Sequence, residues 1–486
     1  MTALALWGLV MLVVMLFAIF IGFPISFTLL FLALTFGYFG LGHTVFDLAY
    51  FNTIGMMKEE LLAAVPLFIF MGFITEQAGL MERLFSAFRM LLAPVRGALF
   101  LVVIVTSAVF AMATGIVGAA VTVLGIMASP IMIKTGYDAK LAAGAITAGG
   151  TLGILIPPSV MLIVMGPVLG VSVADLYAAA FGPGFLLAGI YIAYLGTRAF
   201  INPKLGPPVP KEDRVTDPIA IIREVFVGVL PLLGLIAATL GSILAGLATP
   251  TEAAGIGALG ATILAACYGR LTYAGMKRAV VSATATSSMV LLLAVTSNIF
   301  GSVFARLGTA NWITETLLSL PISPVMMLVV VLVLIFLLGW PFEWPAIILV
   351  FLPIFYPVMD GLKGPLAQSL SIAPDMLMVW FGTVVAVTLQ TAYLSPPVAM
   401  SAYYLKQVVK EWSLGTIYKG MFEFMVLQCI AIALCVMFPA IATWFPEKLQ
   451  HEARQVKTEE VDDSMNRLEE DPLKGFESNK EEEPKK

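Results

Sequence analysis

Charge is scarce in this chain. Asp, Glu, Lys and Arg make up 12% of its 486 residues and 60% are hydrophobic, where a soluble domain carries about 25% charged residues. The scarcity is uneven: 13 acids and 8 bases fall between Glu447 and Lys486, leaving 19 bases and 18 acids over residues 1–446. Histidine is nearly absent, with only His43 and His451, and the three cysteines, Cys267, Cys429 and Cys435, are scattered. That set lacks the ligand spacing of a usual zinc, haem or iron–sulfur centre. No basic patch follows a nucleic-acid backbone, so no nucleic-acid partner is expected. No G-x-x-x-x-G-K-[ST] string occurs, which excludes ATP hydrolysis through a P-loop. A membrane enzyme needs a polar catalytic cluster; none is offered, and no catalytic residue is assigned.

What remains is bilayer material followed by a solvated tail over 447–486, too charged to bury a core. Met1–Phe46 carries no charge, so it lacks the basic start of a signal peptide and reads as two spans meeting near Pro24. Gly97–Ile133 is uncharged for 37 residues. One helix of that length would reach about 55 Å at ~1.5 Å per residue, too long for one crossing of about 30 Å and cramped for two. A re-entrant helical hairpin over 97–133 solves the mismatch, with Thr114 and Gly115 at the turn. Residues 141–174 then form a helix broken at Pro157-Pro158, where two backbone donors are missing. Residues 201–224 are rich in proline and charge and read as a surface linker. The pattern returns beyond it. Residues 316–359 are interrupted only by Glu343 and read as a second hairpin, and 376–405 hold the second double proline, Pro396-Pro397. Phe424–Pro446 reads as the last span.

The two halves therefore carry the same parts in the same order. Gly72 and Gly79 are seven residues apart, as are Gly301 and Gly308. Repeats with broken helices at matching positions point to the binding site of a secondary transporter. The reason is local: a break presents carbonyls that coordinate Na⁺ and helix N-termini that favour anions. The repeats are inverted if each half crosses the membrane an odd number of times.

The strings Gly149-Gly150-Thr151-Leu152-Gly153-Ile154-Leu155-Ile156-Pro157-Pro158-Ser159 and Thr249-Pro250-Thr251-Glu252-Ala253-Ala254, with Gly136-Tyr137, are more specific. Over roughly residues 5–445 the chain resembles the large membrane subunit of tripartite ATP-independent periplasmic (TRAP) transporters. The resemblance implies an all-α polytopic protein of the bacterial inner membrane with an elevator fold. Residues 1–60 and 225–278 would be scaffold, and 61–200 and 279–446 the two repeats. It also implies Na⁺ as coupling ion and a small four-helix membrane subunit and a periplasmic binding protein as partners. The imported solute would be an organic acid or a related small molecule. Carried over by motif, one sodium site would use Thr114, Gly115, Gly153, Ile156 and Pro157; the other would use Gly339, Ser395 and Pro396. Ser159 and Glu343 are the candidate substrate-site residues. The alternative is a stand-alone ion-coupled carboxylate transporter of the same superfamily. Glu252 reads as a helix cap beside an N-cap near Thr251.

Overall fold

The computed structural model describes residues 2–208, 214, 217–396, 399–452 and 454–455. Among these residues every regular element is helical, and nine helices are long and apolar enough to cross a membrane. The chain opens with α1 (Ala3–Ile21), α2 (Ile25–Leu41), α3 (Thr44–Met57), α4 (Glu60–Gln77) and α5 (Leu80–Leu92). α6 (Ala98–Thr114) and α7 (Val117–Lys134) pack together across the two residues Gly115 and Ile116. α8 (Ala139–Thr151) runs through a 3-10 turn, Leu152–Ile154, into an irregular segment, and α9 (Val160–Leu169) resumes beyond it. The expected break thus lies at Pro157-Pro158, and the element ends at Gly170, whose φ is +63°. α10 (Val173–Ile201) starts afresh, with Ser172 capping it.

After residue 208 the next helix begins earlier than the charge pattern suggests. Asp217 caps α11 (Pro218–Ile236) and proline stands at its first position, so residues 218–224 of the expected linker are helical. Arg223 is exposed and Glu224 half-buried in the second turn of α11. A π turn, Ala237–Gly241, leads to α12 (Ser242–Leu244), α13 (Pro250–Cys267) and the 34-residue α14 (Tyr273–Arg306). The N-cap of α13 is Thr249 rather than Thr251, and Glu252 completes a capping box with it. α15 (Thr309–Leu318) precedes α16 (Pro324–Leu338), α17 (Trp344–Ala346), the π turn Ile347–Phe351, α18 (Leu352–Gly361) and α19 (Lys363–Leu370). The second helical pair therefore starts at Pro324, not at 316. Ser323 caps it, and Pro321 cannot continue α15. α20 (Leu377–Gln390), a 3-10 turn at Thr391–Tyr393, α21 (Met400–Val408) and α22 (Leu414–Met437) complete the labelled elements.

The expected last span, 424–446, is divided. Phe438 leaves helical geometry before Pro439, as residues preceding proline do, and residues 440–452 form a separate helix. Residues 447–452 of the expected tail are accordingly helical, while 456–486 lie outside the described residues.

Hydropathy is high throughout, so packing decides what is central. Every residue of α20 is buried, as is every residue of α8 from Leu141 onward. α1 and α2 instead leave Phe17 (69%), Phe31 (67%) and Phe39 (72%) exposed, a surface suited to lipid. Close approach at the centre needs small residues. A Cβ on Gly420 of α22 would lie 2.1 Å from the Lys140 carbonyl oxygen, and one on Gly144 of α8 2.6 Å from the Phe424 ring. α4 packs on α13 and α14, and α14 also packs on α2 and α3, forming the layer around this core.

Candidate functional site

The turn between α6 and α7 meets the break between α8 and α9. Gly115 has φ +61°, and a Cβ there would lie 3.5 Å from the Pro158 carbonyl oxygen and 3.8 Å from that of Gly153. From the other side, a Cβ on Gly153 would lie 3.8 Å from the Ile116 nitrogen. Gly115 is thus brought against Gly153 and Pro158, with Thr114 preceding it in the chain and Pro157 preceding Pro158. Thr114 is buried at 3% exposure and its hydroxyl donates to the Phe110 carbonyl, 3.2 Å away. That bond uses the proton and leaves the oxygen lone pairs for another partner. The Ile156 side chain turns away from the tip: a Cβ on Gly184 of α10 would meet it at 2.8 Å. Its hydrocarbon side chain carries no ligand atom, so Ile156 could serve an ion only through its carbonyl.

Ser159 sits behind the break. Its side chain is fully buried and its hydroxyl donates to the Ile154 carbonyl, while Tyr177 of α10 donates to the Ser159 carbonyl at 3.3 Å. The first bond serves the Ile154 carbonyl, which Pro158 has no N–H to reach; the Ser159 carbonyl also accepts from the Ile163 N–H at 3.2 Å, so Tyr177 ties α10 to the start of α9.

The second turn is wider. Gly339 ends α16, and a Cβ there would lie 3.0 Å from the Cβ of Ala392, in the 3-10 turn before the second break. Ser395 is farther along, with its hydroxyl donating to the Thr391 carbonyl at 2.7 Å and lying 3.1 Å from the Met425 sulfur of α22. Gly339 thus rests on Ala392, three residues before Ser395. Pro396 is exposed; Pro397 lies outside the described residues.

Glu343 occupies the N-cap position of α17 without making a side-chain cap. It faces a cavity of about 420 Å³ that it shares with Pro24 and Ser26 of the α2 entry and with Ser288 and Met289 of α14. Among the described residues no Lys or Arg pairs with it. Ser159 does not reach this cavity, so the two candidate substrate residues stand apart. A second cavity of about 440 Å³ lies between α9, α14 and the π turn at 347–351. Ser297 lines it with a hydroxyl that has no hydrogen-bond partner, and Ser302 donates to Asn52 at 3.2 Å.

The sequence reading left out one participant at the first tip. A Cβ on Gly72 of α4 would lie 2.6 Å from the Thr114 carbonyl oxygen. Its seven-residue spacing from Gly79 had marked a repeat, and nothing local marks it as the floor beneath a turn 42 positions later. Tyr177 is similarly silent, since one tyrosine in a long apolar helix carries no pattern.

The family model described as tripartite ATP-independent periplasmic transporter, DctM component, matches residues 10–441. The sialic acid TRAP transporter large permease protein SiaM of Vibrio cholerae is 29% identical over 435 residues, covering 88% of this chain and 96% of that one. The C4-dicarboxylate TRAP transporter large permease protein DctM of Rhodobacter capsulatus is 27% identical over 464 residues, covering 92% and 100%. Among solved structures, the Alcanivorax borkumensis YdaH transporter superposes with a TM-score of 0.57 at 16% identity, over 83% of this chain and 90% of that one. At that identity it speaks for the fold alone.

Proposed function

Since this chain belongs to the DctM component family of tripartite ATP-independent periplasmic transporters, we propose that it imports an organic acid or related small solute coupled to Na⁺. It is a multi-pass membrane permease component and not an enzyme. The solute would be delivered by a periplasmic binding protein, and a small four-helix membrane subunit would complete the assembly in the bacterial inner membrane.

One observation carries the sodium reading: a glycine with φ +61° lies against the carbonyl oxygens of Pro158 and Gly153 at the proline break. Na⁺ takes oxygen ligands, and unwound backbone in a membrane protein is tolerated where it lines such a site. Thr114 and Gly115 would contribute from the tip; Gly153, Ile156 and Pro157 would contribute from the break. Gly339, Ser395 and Pro396 would form the second site, with Ala392 as the floor on which Gly339 rests. Ser159 is assigned to holding the break in shape. Glu343 is assigned to the solute path, because its cavity lies between the second turn and α2 and α14.

Two features support an elevator built from two repeats. Gly79 and Gly308 both adopt left-handed geometry, φ +69° and +78°, at the starts of α5 and α15. Each is followed by a helical pair and a proline-broken helix. Movement of that core against α4, α13 and α14 would carry the solute across.

The test is uptake by proteoliposomes holding both membrane subunits and the binding protein, with a C4-dicarboxylate and sialic acid offered in parallel. Replacing Na⁺ by choline at fixed membrane potential should abolish uptake of the transported solute. Uptake that persists unchanged in choline would remove the sodium assignment.

A further inference from the structure

The helix at 440–452 sorts its residues by face. Ala442 and Pro446 are buried and Ile441 and Phe445 half-buried, whereas Trp444, Lys448 and Glu452 are exposed at four-residue intervals. On that outer stripe Lys448 lies 5.7 Å over the Trp444 ring and 3.8 Å from Glu452. The inner face follows the start of α10. Phe445 meets Phe181 edge-on with ring centroids 5.7 Å apart, and a Cβ on Gly182 would run into the Ile441 carbonyl oxygen.

The far end of this helix reaches both halves of the chain. Gln450 donates to Asp175 at 3.1 Å, and the Arg454 guanidinium lies 3.8 Å from the Asp375 carboxylate. Asp175 is in the first turn of α10, just after the loop that closes α9. Asp375 stands two residues before α20. The four side chains line one cavity of about 480 Å³ together with Gly170 and Ser172. Two carboxylates sharing a cavity repel each other, and here each faces a donor from the same C-terminal helix.

We propose that the helix at 440–452, with Arg454 beyond it, forms a strap that ties the exit of the first broken segment to the entry of the second, offsetting the repulsion between Asp175 and Asp375. α10 and α20 pack directly on each other, so the strap joins two parts of one body and acts as a splint. Its apolar face supplies the anchor. The Arg454–Asp375 pair is exposed at 70% and 61%, so it contributes little and is screened by salt.

The consequence for transport rests on the function proposed above; the contacts themselves do not, and they are tested without uptake. Backbone amide exchange is measured by mass spectrometry on peptides covering 170–178 and 371–379 of the full chain in nanodiscs. A chain ending after Phe438, which loses the apolar anchor together with Gln450 and Arg454, should exchange about tenfold faster at both loops, because local opening free energies set these rates. Arg454→Glu should accelerate the 371–379 peptide about threefold at low salt and less at 1 M salt, and adding Asp375→Arg should restore it. Unchanged exchange in the truncated chain overturns the strap. Should that chain fail to insert, Arg454→Glu without any effect at low salt, or without rescue by Asp375→Arg, overturns it instead.

Discussion

Gly115→Val is the sharpest perturbation of the first tip, and Gly170→Val is its control. Both glycines are left-handed, φ +61° and +63°, so valine meets the same backbone strain at each. That strain is about 1–2 kcal/mol, and larger for a β-branched side chain. The surroundings differ. A Cβ at Gly170 finds nothing within 4 Å, whereas one at Gly115 already touches the Pro158 and Gly153 carbonyl oxygens at 3.5 and 3.8 Å. The γ-carbons of valine extend farther and would displace those oxygens from any shared ligand. The pair therefore separates strain from obstruction. The assay is thermal unfolding of purified protein in Na⁺ and in choline, because a ligand that binds only the folded state stabilises by RT ln(1 + [L]/Kd), about 2.7 kcal/mol at a hundredfold excess. Both variants should unfold at lower temperature than the parent in choline. Gly170→Val should keep the parent's Na⁺-dependent rise in unfolding temperature. Gly115→Val should lose most of it, since each ~1.4 kcal/mol of lost ion binding is a tenfold weaker Kd. If both variants keep the full sodium response, the tip does not hold the ion; if both lose it equally, backbone strain and not the carbonyl contact was responsible.

Two further expectations concern the support of this site. Gly72→Ala places a methyl 2.6 Å from the Thr114 carbonyl oxygen and 3.1 Å from its Cα, backbone atoms that no rotamer change can clear. Overpacking of this kind costs about 1–3 kcal/mol; calorimetry of the variant should show it, while Gly189→Ala, open on all sides within 4 Å, should not. Tyr137, between α7 and α8, accepts the Leu99 N–H at 3.3 Å, and its burial pushes the phenol from 10.0 up to about 12. The neutral form is favoured in the folded state, so its contribution is full below pH 10 and lost as pH rises towards about 12. Tyr137→Phe should flatten that window in pH-dependent unfolding and leave the Leu99 donor unpaired, at about 1 kcal/mol; an unchanged alkaline limb would refute the assignment.

Much of the architecture is legible in the linear chain because a bilayer imposes simple rules on it. Charge cannot sit cheaply in hydrocarbon, so the helical segments could be bounded, and proline cannot donate, so the break at Pro157-Pro158 could be placed. Gly115 was identifiable because an over-long uncharged run must turn somewhere near its middle. Errors cluster at helix ends, at Thr249, at 218–224 and at Pro324, because charged residues and caps are welcome in a terminal turn and hydropathy does not register them. Three features were decided only by the tertiary structure. Hydropathy is nearly uniform, so nothing in it says that α8 and α20 are wholly enclosed while α1 and α2 face outward; that follows from which small residues let which helices approach. Gly72 became the floor of a turn 42 residues away through the crossing of α4 and α6. Residues 440–446 read as the end of the last span and 447 onward as a charged tail; in the structure 440–452 form one separate helix, and Gln450 on it and Arg454 beyond it meet Asp175 and Asp375 because folding brought two carboxylates, 200 residues apart, into one cavity.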